Sequence, residues 1–227
     1  DHRDLHLSIR RQRQMCIRDR MGPVEYGENQ EEVFLGRSVT QTQSVSEEVA
    51  QRIDKEINRL IREAIAESNR ISGKKSREIF QLTPEAKLIA KNFQENKGRL
   101  PWPLEKGIVV QGFGRQKHPV VKTATIQSNG VTIATAPSSK VRAVFEGEVM
   151  SVLTFKGSNP SVLIRHGNYI TVYKNLGELY VKKGDKVKSK EVIGEVFTNQ
   201  QTGKTEVQFS IFNNIKVLNP IGWIYQM

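Results

Sequence analysis

The sequence predicts a mainly β protein, in which an antiparallel sheet domain follows an amphipathic helix and a poorly ordered N-terminus. Two patterns lead to this prediction. Beyond about residue 107, short runs of β-branched and aromatic residues alternate with turns that contain Gly, Asn, Pro or Lys. Between residues 49 and 65, apolar residues instead recur at spacings of three and four. The first pattern is typical of strands and the second of one face of a helix.

The sheet domain is assigned to residues 100–227. Six runs predict its strands: VTIATA, VRAVFEGEVMSVLTF, SVLIRHG, YITVYKNLG, VIGEVF and TEVQFSIF. Six short runs at close spacing favour an antiparallel sheet, sandwich-like or partly rolled. Pro101 and Pro103 precede the first run and mark the start of the domain.

Residues 57–99 are predicted to form the end of a helical arm and a linker. Ser44 and Glu47 have the spacing of a capping box, so the long helix is expected to begin there. A second, short helix is predicted after Thr83, with a proline at its first position. The apolar stripe of the long helix has no partner within its own segment. Deletion of residues 1–80 is therefore expected to leave the thermal transition of the sheet domain nearly unchanged.

Composition and charge exclude several classes of protein. The 227 residues contain no run of about 20 apolar residues, so no transmembrane helix is predicted. One cysteine excludes an internal disulfide framework, and four histidines leave little material for a histidine-rich metal site. The lysine-rich segment VKKGDKVKSK lacks the interleaved aromatic residues of single-strand binders, so nucleic acid is not predicted as a partner. Residues 1–20 are basic, residues 21–70 acidic and residues 71–227 strongly basic, which indicates segments of different origin.

The first segment, residues 1–20, contains RRQRQMCIRDR, which resembles translated technical sequence of the kind found at the ends of gene models. No apolar region or small-residue cleavage site follows it, so a signal peptide is not expected here. The segment is interpreted as an artefactual or disordered leader.

The second segment, residues 21–56, contains GPVEYGENQEEVFLGRSVTQTQSVSEEVAQRIDKEI. This stretch resembles the peptidase domain of FtsH-type ATP-dependent zinc metalloproteases, after their last metal ligand. The motifs HExxH and GxxxxGK[ST], which that family needs for zinc and ATP, do not occur in the sequence. The segment is therefore expected to bring no activity. Because the resemblance implies a cytoplasmic location for this segment, the chain is interpreted as a chimera joined near residues 53–60.

Four parts of the sheet domain occur in the order and spacing of LytM-type zinc peptidases, which cut peptide crosslinks in bacterial cell walls. These parts are GFGRQKHP, AVFEGEVMSV, IRHGNYITVYKNL and VKKGDKVKSKEVIGEV. The resemblance covers residues 100–224 and implies the LytM fold for this domain.

The same resemblance implies that the metal centre is degenerate. Active members hold zinc with a His and an Asp from H-x-x-x-D and with the second His of H-x-H, and two further histidines line the centre. The matched positions in this chain are Asn129, Thr132 (or Ile133), Asn175, Glu206 and Gln208. Neutral amides are poor zinc ligands beside imidazole and carboxylate, and a single Glu makes no site. The resemblance therefore implies a protein that is not an enzyme, with no catalytic residues, no metal and no cofactor.

A narrower resemblance is carried by TPEAKLIAKNFQENKGRLPWPLEKG followed by the ligand-free sheet domain. It points to the EnvC-like murein hydrolase activators. It implies that the vacated groove binds an N-acetylmuramoyl-L-alanine amidase and relieves its autoinhibition during cell division, with peptidoglycan left open as a second ligand. The sheet domain would then be periplasmic or in the cell envelope. The groove is expected to be lined by Asn129, Tyr173, Asn175, Gln208 and Ser210.

Two alternatives stay open. One is an active LytM-type zinc endopeptidase of peptidoglycan, which the missing histidines oppose. The other is a fragment of an FtsH-type protease with an appended sheet domain, which the two different cell compartments oppose. His118 and His166 fall at positions that the LytM family uses structurally, so neither is expected to hold a metal.

Overall fold

The computed structural model describes residues 29–71, 78–117, 125–154 and 157–227, with side chains described from Glu48 onward. The chain divides into two compact units, residues 1–48 and residues 49–227. The predicted leader, the first part of the FtsH-like segment and His118 lie outside the described residues. All side-chain contacts given below belong to the second unit.

Two α-helices precede the sheets. Helix α1 is Asn29–Ile71 and helix α2 is Pro84–Glu95. Helix α2 begins as predicted, because the Thr83 hydroxyl accepts a hydrogen bond from the N–H of Ala86 at 3.2 Å. The prediction that α1 begins at Ser44 is wrong, since the helix already extends from Asn29. Residues 30–43 contain no proline, the residue that disfavours a helix interior most strongly.

The predicted antiparallel architecture is confirmed. The strands are β1 Ile108–Gln111, β2 Gly114–Lys117, β3 Thr125–Ser128, β4 Val131–Ala134, β5 Lys140–Arg142, β6 Gly147–Leu153, β7 Ser161–His166, β8 Tyr169–Lys174, β9 Leu176–Leu179, β10 Lys186–Val187, β11 Val192–Val196, β12 Glu206–Asn213 and β13 Lys216–Leu218. The largest sheet has eight strands in the order β1-β4-β12-β8-β7-β6-β10, with β13 paired to β12. A second sheet has the order β5-β11-β9, and β2 pairs with β3.

One core lies on the side of the large sheet that faces α2 and the second sheet. Alternate residues of β12 point into it, since Val207, Phe209 and Ile211 are all fully buried. From α2, the ring of Phe93 lies 4.9 Å from that of Tyr169. This aromatic cluster also includes Trp223, which is only 7% exposed. The prediction that Trp223 has a packing role is thus consistent with its position.

A second core lies on the opposite face of the large sheet, beneath α1. The three helix residues Ile57, Ile61 and Ile65 are fully buried in it. They recur every four residues and so form one stripe along the helix. The stripe packs against Phe80 and against sheet residues that include Leu163, Ile170, Val172 and Phe212. We call this side of the sheet the helix-covered face.

This packing contradicts the expectation that residues 1–80 can be deleted without consequence. The stripe of α1 does have a partner, but the partner is the sheet rather than another part of the helical segment. Removing α1 would expose the apolar side chains of the helix-covered face to water, which is unfavourable in proportion to the area exposed.

No described helix is long and apolar enough to cross a membrane.

Candidate functional site

The matched positions on the strands meet on the helix-covered face. On adjacent strands, Gln208 of β12 is in register with Thr132 of β4 and with Lys174 of β8. Residues in register on neighbouring strands point to the same face of a sheet. Phe212, four residues after Gln208, points the same way and belongs to the core beneath α1. The structure therefore brings Thr132, Gln208 and Glu206 together on one face of the sheet.

A side chain of α1 reaches this group of residues. One carboxylate oxygen of Asp54 pairs with the Nζ of Lys174. The other, Oδ2, accepts a hydrogen bond of 2.9 Å from the Nδ2 of Asn129, in the turn between β3 and β4. The side chain of Lys174 is only 9% exposed and that of Asp54 is 28% exposed. The centre of the matched positions is thus a largely buried, charge-paired cluster.

Sequence reasoning missed both charged members of this cluster. Lys174 lies between two residues of the predicted groove, Tyr173 and Asn175, and alternation along β8 could have placed it on their opposite side. Asp54 carried no such signal. It is 120 residues from Lys174 in the chain, and only the packing of α1 on the sheet brings the two together.

Asn175 holds the end of β8 in place. Its backbone has a φ of +68°, in the left-handed region that asparagine tolerates better than most residues. Its Nδ2 donates to the backbone oxygen of Glu206 at 2.6 Å, and its Oδ1 accepts from the Nδ2 of Asn159 at 2.6 Å. The side chain of Asn175 therefore ties three segments together at one edge of the site.

Two members of the predicted groove are not available to a partner. Tyr173 is fully buried, and its hydroxyl accepts a 2.9 Å hydrogen bond from the N–H of Val144. It points into the core on the other side of the sheet because it alternates with Lys174 along β8. Ser210 lies on the helix-covered face but is also fully buried. Its hydroxyl has no hydrogen-bond partner within the described residues. Asn129, Asn175 and Gln208 stay half-exposed.

His166 is a structural residue, in line with its expected role. Its ring is fully buried, with Nδ1 2.6 Å from the backbone oxygen of Glu146 and Nε2 2.9 Å from the Thr171 hydroxyl. The ring also stacks on Phe93, with the centroids 5.0 Å apart. Burial lowers the pKa of His166 to about 4, so the imidazole is neutral at physiological pH.

The side chains at the matched positions do not fit a zinc ion. They offer three carboxamides, one hydroxyl and the single carboxylate of Glu206. A catalytic zinc instead takes three imidazole or carboxylate ligands. The Lys174 ammonium, in register with Gln208, already places a positive charge among them. Within the described ranges, no group of three or more His, Cys, Asp or Glu side chains is arranged to hold a metal.

Comparisons with known proteins define the two parts of the chain. Residues 127–220 match the family model described as Peptidase family M23, and residues 9–96 match that of Peptidase family M41. The C-terminal sheet domain is thus similar to the M23 peptidase family, and the segment that precedes it is similar to the M41 peptidase family. Two different peptidase families in one chain are the pattern that a chimera would produce.

One curated relative and two solved structures are similar to parts of the chain. The ATP-dependent zinc metalloprotease FtsH of Caulobacter vibrioides is 55% identical over 53 residues, which are 23% of this chain and 8% of that protein. The chain thus spans less than a tenth of that relative. Among solved structures, Helicobacter pylori Csd3 is 26% identical with a TM-score of 0.47, over 56% of this chain and 35% of Csd3. The SpoIIQ–SpoIIIAH pore-forming complex contains a chain that is 23% identical with a TM-score of 0.49, over 57% of this chain and 93% of that one.

Proposed function

We propose that the sheet domain is a non-catalytic binding module that activates a murein amidase of the cell envelope through its degenerate groove. The observation that carries this proposal is the replacement of the metal ligands within a retained M23-type fold. The strands still bring Thr132, Glu206 and Gln208 to one face, but these side chains cannot hold a catalytic zinc. A domain that keeps the strand arrangement and lacks the zinc ligands is suited to binding rather than to catalysis.

Activation would follow from differential affinity. If the amidase exists in a closed and an open state, an activator shifts it to the open state only by binding that state more tightly. Gln208 is half-exposed and supplies a neutral hydrogen-bonding group for such contact, whereas the amides of Asn129 and Asn175 already have hydrogen-bond partners within the chain. Peptidoglycan as a second ligand and an envelope location belong to the same proposal.

Helix α1 constrains how a partner can bind. Its Asp54 lies against Lys174 and Asn129, so a partner that contacts those two residues must take the place of this part of the helix. Binding experiments therefore need a protein that includes α1. A fragment beginning at residue 81 would expose the apolar side chains that α1 covers and could bind proteins non-specifically.

The test uses the purified full chain with dye-labelled peptidoglycan and an N-acetylmuramoyl-L-alanine amidase from the same source. We expect no dye release by the chain alone and a stimulated release when the amidase is added. Gln208→Lys places a second ammonium beside Lys174 and should abolish stimulation. Gln201→Lys, on an exposed turn, adds the same charge elsewhere and should leave stimulation unchanged.

The same assay separates the alternatives. Release of dye by the chain alone, lost on treatment with a chelator, would replace this proposal with a zinc endopeptidase of peptidoglycan. An FtsH-type proteolytic function is opposed by the absence of the HExxH and Walker motifs from the sequence. Equal stimulation by wild type and by Gln208→Lys would mean that the degenerate groove is not the contact surface.

A further inference from the structure

We infer that residues 180–191 form a basic surface that binds the anionic headgroups of a lipid bilayer. We call this segment, which connects β9 to β11 and includes β10, the lysine loop. It contains two acidic residues and five lysines, all of them exposed: Lys182, Lys183, Lys186, Lys188 and Lys190. The inference goes beyond the proposed function and does not depend on it, because none of these lysines is among the matched positions of the groove.

The lysines of the loop have no counter-ions of their own. In the described part of the chain, the lysines that form ion pairs are Lys91, Lys140 and Lys174. Asp185 and Glu191 of the loop each accept a hydrogen bond from a backbone N–H of the same loop, at 2.9 and 2.7 Å. Glu148 is in register with Lys186 on the neighbouring strand β6 but forms no ion pair with it. Five ammonium groups therefore face solvent without a bound carboxylate.

Backbone hydrogen bonds fix both turns of the loop against the rest of the domain. In the first turn, the N–H of Gly184 donates to the backbone oxygen of Val149 at 2.8 Å. In the second turn, the N–H of Lys190 donates to the backbone oxygen of Ala143, also at 2.8 Å. The lysines are thus displayed on an ordered surface, so little conformational entropy of the backbone is lost on binding.

The use of lysine alone favours a diffuse negative surface over a single anionic group. The loop contains no arginine, although the arginine fork is better suited to one particular phosphate or carboxylate. Lysine is also depleted from the cores of protein interfaces. A lysine instead acts as a point charge in the summed field of many headgroups, which is worth about fivefold in affinity for each lysine close to an anionic bilayer.

The residues at the two ends of the loop favour lipid over other polyanions. Tyr180 comes before the lysines and is 43% exposed, and Val192 follows them and is 37% exposed. Tyrosine is enriched where a bilayer meets water, and an apolar side chain gains free energy by entering the headgroup region. Single-stranded nucleic acid instead requires aromatic residues on which bases stack, and residues 181–191 contain none.

Sedimentation of the purified full chain with lipid vesicles tests the inference. Vesicles of equal parts phosphatidylglycerol and phosphatidylcholine should bind the chain more tightly than vesicles of phosphatidylcholine alone. Lys183→Gln combined with Lys188→Gln removes one lysine from each turn and should weaken binding to the anionic vesicles about 25-fold, the product of two fivefold effects. Lys183→Arg combined with Lys188→Arg keeps both charges and should bind within about twofold of wild type.

The matched control removes two lysines from elsewhere in the sheet domain. Lys204 and Lys216 are exposed and lie outside the loop. Lys204→Gln combined with Lys216→Gln lowers the net charge by the same amount and should bind the anionic vesicles within about twofold of wild type. The basic residues 1–20 are present in every variant, so their contribution is the same on both sides of each comparison. Equal thermal midpoints of the two double variants would show that a loss of binding does not come from unfolding.

Three outcomes would overturn the inference. Equal binding of the loop variant and the matched control to anionic vesicles would mean that net charge, and not this loop, attracts the chain. Undiminished binding in 1 M sodium chloride would exclude attraction between exposed charges, which are then screened beyond about 3 Å. If the loop lysines control binding to purified peptidoglycan or to duplex DNA but not to anionic vesicles, the assignment to lipid is wrong.

Discussion

Truncation of Ile61 to alanine measures how much helix α1 contributes to the sheet domain. Ile61 is fully buried in the core between α1 and the large sheet, with Ile57 and Ile65 one turn away on either side. Replacing a buried isoleucine by alanine costs about 2–5 kcal/mol, from the lost burial and from the cavity that is left. Because the unit is large, each kcal/mol lowers the midpoint by about 2–4 °C. A loss near 3 kcal/mol therefore predicts a fall of about 6–12 °C.

The assay is thermal unfolding of the full chain, followed by the near-ultraviolet circular dichroism of the tryptophans. Ile71→Ala is the matched control, because Ile71 lies on the same helix but is 79% exposed. That variant should stay within about 0.5 kcal/mol of wild type, as surface substitutions usually do. A midpoint for Ile61→Ala within 2 °C of the control would refute the reasoning, because it would mean that α1 does not pack on the sheet in solution.

Three further predictions concern the site and the cores. Burial lowers the pKa of His166 to about 4, below its value of about 6.5 in an unfolded chain, so the unfolded state takes up the proton first. The free energy of unfolding should therefore be highest above pH 6.5 and should fall by up to about 3 kcal/mol as the pH drops toward 4. Urea titrations at several pH values measure this fall, which should be smaller in His166→Asn. Gly130→Ala should destabilise the domain by about 1–3 kcal/mol, because the Cβ of the new alanine would lie 2.3 Å from the backbone oxygen of Phe209. An unchanged urea midpoint would contradict this and would show that the turn can shift. Elemental analysis of the purified chain should find no stoichiometric zinc, and one chelatable zinc per chain that is lost in Glu206→Ala would contradict this.

The local elements of the sheet domain were predictable because each depends on neighbours in the sequence. Alternation of side chains along β12 follows from the period of a strand, and Val207, Phe209 and Ile211 are buried as that period requires. The start of α2 depends on the capping residue Thr83 and the proline after it. The predicted start of α1 is wrong because a capping-box sequence only favours the start of a helix at that residue. Where the preceding residues are also compatible with a helix, the helix can continue through it.

The residues at the matched positions could be identified from the sequence, but their geometry could not. That Asn129, Thr132, Glu206 and Gln208 stand at these positions needs only the order of residues along the chain. Whether Tyr173 lines the groove depends on the side of the sheet to which it points. The resemblance of motifs does not specify that side, and the structure places Tyr173 in the opposite core.

By itself, therefore, the sequence determined the antiparallel strands and the amphipathic stripe of α1, because each follows from short-range periodicity. It also determined which residue types stand at the positions matched to the zinc ligands. Only the tertiary structure decided that the stripe covers one face of the large sheet, and that Asp54 pairs there with Lys174, 120 residues further along the chain. The physical reason is that burial and charge pairing act through space. An apolar helix face packs on whichever apolar surface the folded chain presents, and a buried ammonium takes the carboxylate that this packing brings within reach.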